Sequence, residues 1–170
     1  MSTINASTIQ RDLICVQVQM LDNFDIGNGT SFQAKSCIDT TKVHFNNGGF
    51  TVAADGIAVP EAGYYVIGAS LYYQAEQADD TNDRVCPEMK FYNQTQNANF
   101  GSAGSIAAMG YCRNLNSSGY NGPRNSSSMI TEIVSLARLD KVEIRTKRGA
   151  DSAQDVEIEA QSIMWMFKLQ

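Results

Sequence analysis

Residues 48–73 read GGFTVAADGIAVPEAGYYVIGASLYY. Phe50, Thr51 and Val52, and then Ile57, Ala58 and Val59, form two short extended runs. Pro60-Glu61-Ala62-Gly63 is a turn, because proline presets one φ and glycine permits an unusual one. Residues 64–73 follow as a long run of aromatic and branched side chains, the composition of a β-strand. Alternation puts Tyr65, Ile67, Ala69, Leu71 and Tyr73 on one face and Tyr64, Val66, Gly68, Ser70 and Tyr72 on the other. A half-exposed antiparallel strand alternates apolar with polar. Here both faces are apolar, which predicts a strand covered twice, once by its own core and once by something else.

The chain has 170 residues, enough for one domain with a real core. Apolar residues at 43% and charged residues at 18% indicate a folded protein. The net charge of -5 argues against nucleic acid or an anionic membrane as the main partner. No apolar run approaches the roughly 20 residues that span a bilayer as a helix. Residues 1–12 are polar and aperiodic, without a basic segment leading into an apolar one. They predict an extended arm, not a secretory leader, ahead of a domain over residues 13–170. Cys15, Cys37, Cys86 and Cys112 follow no zinc-ligand spacing. Reduced, mostly buried thiols are expected, with one or two disulfides as the alternative if the mature particle is extracellular.

Outward from the opening stretch, the pattern stays β. Residues 13–20 alternate, with Ile14, Val16, Val18 and Met20 on one face and Cys15, Gln17 and Gln19 on the other. Residues 22–36 read as a turn-rich loop and 42–45 as a short strand. Residues 76–83 are an acidic loop. Pro87 inside the strand-like run 85–93 predicts an edge or a bulge. Residues 106–112 are a further strand candidate. Residues 113–127, RNLNSSGYNGPRNSS, read as a long polar loop, a type that is uncommon and often functional. Residues 128–136 form a strand that turns at Ala137-Arg138-Leu139-Asp140. Val142, Ile144 and Thr146 then alternate with Lys141, Glu143, Arg145 and Lys147, giving one core face and one wet face. The last strand, 156–169, ends with both faces apolar. No amphipathic helix appears, and eight to ten strands joined by Gly/Asn/Ser loops predict an all-β sandwich or barrel.

Three pieces resemble the trimeric jelly roll of tumour necrosis factor and the complement globular heads. The first is Phe50-Thr51-Val52 with Gly56-Ile57-Ala58-Val59-Pro60-Glu61-Ala62-Gly63-Tyr64-Tyr65, similar to that superfamily's Pro-x-x-Gly-x-Tyr turn and strand. The second is Ser135-Leu136-Ala137-Arg138-Leu139-Asp140-Lys141-Val142, similar to its Leu-x-x-Gly-Asp-x-Val turn with Leu139 in the glycine's place. The third is Ser162-Ile163-Met164-Trp165-Met166-Phe167, which resembles the aromatic final strand, with Met166 where glycine is frequent. The resemblance covers about half the chain and implies a two-sheet antiparallel jelly-roll sandwich that forms a homotrimer. It implies that Tyr65, Ile67, Ala69, Leu71, Trp165 and Phe167 point into the sandwich, and that Val66, Ser70, Tyr72, Met164 and Met166 line the trimer axis.

Little in the sequence carries chemistry. The single histidine, His44, cannot supply the two or three imidazoles of a jelly-roll metal site, and no serine sits in a nucleophile elbow. No phosphate loop is present. Asp79, Asp80, Asn82 and Asp83 supply the hard oxygens calcium prefers but not an EF-hand spacing, and a solvated acidic loop explains them. No cofactor, metal or catalytic set is expected, and the chain does not read as an enzyme. Tyr111, Tyr120, Asn121 and Arg124 are a candidate loop for a sugar or protein ligand, with a plain loop as the ordinary alternative. These features are expected of a bacteriophage virion structural protein, a trimeric cement or decoration protein assembled in the host cytoplasm that binds the major capsid protein on the capsid surface. Ile4, Ile9 and Arg11 of the arm would make the capsid contact. The alternative is the receptor-binding head of a tail fibre or adhesin.

Overall fold

The computed structural model describes residues 13–26, 31–75, 84–100, 108–117, 120–124, 126–148 and 156–169. The arm with Ile4, Ile9 and Arg11, and the acidic segment 76–83, lie outside them. In chain order the strands are β1 (Cys15–Met20), β2 (Phe24–Asp25), β3 (Gln33–Ala34), β4 (Ile38–Asn47), β5 (Thr51–Ala53), β6 (Gly56–Ala58), β7 (Gly63–Ala75), β8 (Arg84–Val85) and β9 (Glu88–Asn93). They continue as β10 (Ala98–Asn99), β11 (Ala108–Met109), β12 (Cys112–Ser117), β13 (Tyr120–Arg124), β14 (Ser126–Leu136), β15 (Lys141–Lys147), β16 (Val156–Ile158) and β17 (Ile163–Lys168).

All the pairings are antiparallel, and they form two large sheets and one small one. The larger layer runs β14-β7-β17-β1-β4, with β16 and then β2 continuing beside the C-terminal end of β7. The second layer runs β10-β9-β15-β6-β5, with β3 beside β15 and β11 beside β9. β8, β12 and β13 make a small third sheet. The two large sheets face each other across the core, an all-β antiparallel sandwich.

β7 is its centre. Tyr65, Ile67, Ala69, Leu71 and Tyr73 are all 0% exposed. Val16, Val18 and Met20 join them from β1, and Met89, Phe91, Val142 and Ile144 face them from the second sheet. Each such large apolar side chain contributes about 1.5–3 kcal/mol on leaving water. The turn before β7 is tied down from inside, where the Tyr65 hydroxyl donates to the Glu61 carbonyl at 2.8 Å and its ring meets Phe50 edge-on at 6.1 Å.

The Ala137–Asp140 turn is held by a buried carboxylate. Asp140 Oδ2 accepts from Ala137 N at 2.9 Å, Asn93 Nδ2 at 2.9 Å and Gln96 Nε2 at 2.6 Å. The chain folds back tightly enough that Leu139 takes φ 68°, a left-handed conformation glycine adopts without cost. The leucine is therefore bent into the backbone shape of the residue it replaces in the motif.

Three expectations change. The run 113–127 is not a loop: β12 and β13 pair from Arg113↔Arg124 to Ser117↔Tyr120 as a hairpin. A polar strand pair has no apolar period to betray it. The short strand over 42–45 extends to ten residues as β4, mostly exposed. The outer row of β15 is not wholly wet either. Glu143 is 0% exposed, with Oε1 accepting from Arg145 Nε at 2.6 Å while the guanidinium carbon lies 3.2 Å from the centre of the Tyr92 ring.

Candidate functional site: the outer face of the large sheet

Register decides what each strand shows to solvent, because directly paired antiparallel residues share a face. β17 pairs with β7 as Ile163↔Ser70, Met164↔Ala69, Trp165↔Gly68, Met166↔Ile67 and Phe167↔Val66. Ala69 and Ile67 belong to the core, so Met164 and Met166 do too, and each is 0% exposed. The expectation that Met164 and Met166 line an axis is therefore overturned. Its counterpart for Trp165 and Phe167 falls with it, since both lie half-buried on the outer face beside Gly68 and Val66. The last strand had two apolar faces, and bulk alone assigned the aromatic one inward. A one-residue difference in register exchanges the faces completely.

The outer face is then assembled strand by strand. β7 supplies Tyr64, Val66, Ser70 and Tyr72, and β17 supplies Ile163, Trp165 and Phe167. β14 adds Met129 opposite Ser70 and Ile133 opposite Val66. β1 adds Cys15 and Gln17, and β4 brings Phe45 opposite Gln17. Met129 and Ile133 are each 68% exposed, Tyr64 is 63% and Phe45 is 43%. Single exposed hydrophobics are ordinary, but a contiguous apolar patch across neighbouring strands marks an interaction surface.

The middle of this face is flat for a definite reason. A Cβ on Gly68 would stand 2.1 Å from Trp165 Cε2 and 2.2 Å from Cζ2. The indole lies directly across the glycine backbone, so the bare position on β7 becomes the seat of the largest side chain on β17. A flat aromatic centre flanked by aliphatic side chains suits packing against a second protein surface.

One strand of this sheet carries a charge inward. Glu132 on β14 lies opposite Ile67 on the core-facing row that also holds Ile130 and Val134. Its Oε1 is buried without a hydrogen-bond partner, and desolvation raises its carboxyl above the usual range. β14 pairs only with β7 among the described strands, and an inward charge is a device that blunts such an edge.

The remaining sequence candidates are scattered. His44 is exposed on β4. Tyr111 is 49% exposed next to β12, and its N–H donates to Ser126 Oγ at 2.8 Å. Tyr120, Asn121 and Arg124 lie on β13, whose side chains are outside the described set. All four cysteines are free; burial pushes the Cys37 thiol up to about 12 and raises Cys112, so both are unreactive. No group of three or more His, Cys, Asp or Glu side chains among the described residues is arranged to hold a metal. No described helix is long and apolar enough to cross a membrane. The signal that sequence reading missed is the pair Gln17 and Gln19. Polar residues on β1 opposite Trp165 and Ile163 mark that row of β17 as the outward one.

No protein-family model matches the chain, and no curated protein matches it by sequence. Solved structures do match. The Eiger tumour necrosis factor of S. frugiperda superposes with a TM-score of 0.54 at 12% identity, over 94% of this chain and 94% of that one. The globular domain of zebrafish complement 1qA superposes with a TM-score of 0.54 at 10% identity, over 93% of this chain and 98% of that one. At such identities the likeness is one of fold. The chain has an all-β two-sheet antiparallel sandwich that resembles the tumour necrosis factor and complement-head jelly roll.

Proposed function

We propose that this chain is a non-enzymatic structural protein that works as a homotrimer, packed through the outer face of its large sheet around a three-fold axis. The observation that carries this reading is the apolar surface formed by Tyr64, Val66, Ile133, Trp165 and Phe167. Closed cyclic assembly covers such a surface on every copy at once, whereas open association leaves apolar ends. Val66, Ser70 and Tyr72 keep the axis-facing role expected of them, and Trp165 and Phe167 replace the two methionines. Light scattering of the purified chain tests the assembly, with an expected mass of three times 18.6 kDa. A monodisperse monomer at micromolar concentration refutes it.

We place the trimer on a virion surface, as a cement or decoration protein that bridges capsid subunits. Supporting this setting are the acidic net charge and the polar segment 1–12 with Ile4, Ile9 and Arg11. The trimer then acts mechanically, adding buried area between capsomers. Removal of residues 2–12 is expected to abolish binding to isolated capsids and leave the trimer intact; full coating by the truncated trimer refutes the arm's role.

A further inference from the structure

The outer face of the second sheet carries a different chemistry. Across the β9–β15 ladder Lys90 stands directly opposite Arg145, and Lys147 is the next outward residue along β15. Like charges directly opposed across two strands are destabilising. Two of the three cations have an anion: Arg145 Nε donates to Glu143 at 2.6 Å, and Lys147 Nζ lies 2.9 Å from Glu88. Lys90 has no carboxylate among the described residues. Its ammonium donates to Asn99 Oδ1 at 2.8 Å and lies 4.4 Å from the centre of the Phe32 ring, which the Lys147 ammonium also approaches at 4.8 Å. Among the described residues the corner therefore holds three cations and two carboxylates, in a chain whose net charge is -5. Departures from local charge rules concentrate where a ligand supplies the missing partner.

What surrounds the cations narrows the ligand. Both neighbouring rings already have cations over them, so stacking is not what this corner offers. Its rim on this face is the exposed amide of Asn99 on β10, which pairs with Tyr92 on the same outer row and whose Oδ1 accepts from Lys90. Amides donate and accept at once, as hydroxyl groups do. We infer that the Lys90–Arg145–Lys147 corner binds the carboxylate of an acidic saccharide, with Lys90 as its principal ion partner and the Asn99 amide beside it taking a sugar hydroxyl. The site lies on the sheet opposite the proposed trimer face, so the two readings stand or fall separately.

The full chain is titrated with sodium glucuronate, with glucose as the uncharged twin and N-acetylglutamate as a carboxylate without a sugar, and followed through backbone amide shifts. Saturable shifts at Lys90, Arg145 and Asn99 are expected with glucuronate and none with glucose. Lys90→Gln is expected to weaken glucuronate about tenfold, the loss of one charge-assisted hydrogen bond. It is also expected to melt no lower than the native chain, because it relieves the repulsion across the ladder. Equal shifts with glucose, or unchanged glucuronate affinity in Lys90→Gln, overturn the site. N-acetylglutamate binding as tightly as glucuronate overturns the saccharide assignment.

Discussion

Replacing Ile133 by glutamate separates assembly from folding. Ile133 is 68% exposed on β14, opposite Val66 on the outer face. Complete burial of such a side chain contributes about 1.5–3 kcal/mol, so covering its open two-thirds contributes about 1–2 kcal/mol per subunit. A glutamate forfeits that gain and adds the effective penalty of an unpaired buried charge, several kcal/mol. Around a three-fold axis the loss recurs in every subunit and amounts to on the order of 10 kcal/mol per trimer. A micromolar association is worth about 8 kcal/mol, so the trimer dissociates. The monomer keeps its fold, because an exposed strand position tolerates a charge within about 0.5 kcal/mol. Met164→Glu, at a position 0% exposed opposite Ala69, puts the charge into the core and abolishes folding. Sedimentation velocity at micromolar concentration, paired with circular-dichroism melting, reads both outcomes. The reasoning fails if Ile133→Glu stays at trimer mass, or if Met164→Glu yields a folded monomer, which would return the methionine to the axis.

Other substitutions probe the frame. Leu139→Gly removes a left-handed leucine that is 59% exposed and loses little packing. Relief of about 1–2 kcal/mol, less about 0.5–1 kcal/mol for a floppier unfolded chain, leaves a net gain of about 0–1.5 kcal/mol in urea unfolding; a net loss contradicts the geometry. Asp140→Ala leaves three donors around the turn without their acceptor and is expected to cost about 3 kcal/mol; a cost below about 1 kcal/mol means that water replaces the carboxylate freely. Glu132 gives a pH signature of known sign. Desolvation raises its folded-state carboxyl above the unfolded value, so the folded state binds the proton more tightly. Its contribution therefore weakens stability as pH rises from the unfolded pKa through the raised folded one, and stays unfavourable above. Glu132→Gln is expected to be more stable than the native chain at pH 7 and to lose that part of the pH dependence; equal pH profiles for the two chains count against it.

Sequence alone determined the class and the frame of this protein. Period-two alternation, the Pro60–Gly63 turn and the Ala137–Asp140 turn are local signals, carried by a few adjacent residues, and each marks a real element. The doubly apolar character of β7 is equally local, and it pointed to an outer partner before any pairing was known. Three things depended on contacts between residues far apart in the chain. Which apolar row of β17 faces the core follows from its register on β7, some hundred residues away, and no property of the strand itself distinguishes the rows. The β12–β13 hairpin is mostly polar and carries no hydrophobic period, so only its pairing marks it as a strand pair. The opposed cations Lys90 and Arg145 meet only because β9 and β15 are neighbours. Alternation along a strand is written in consecutive residues, but which side is inside is a relation between strands, and that relation exists only once the sheet has formed.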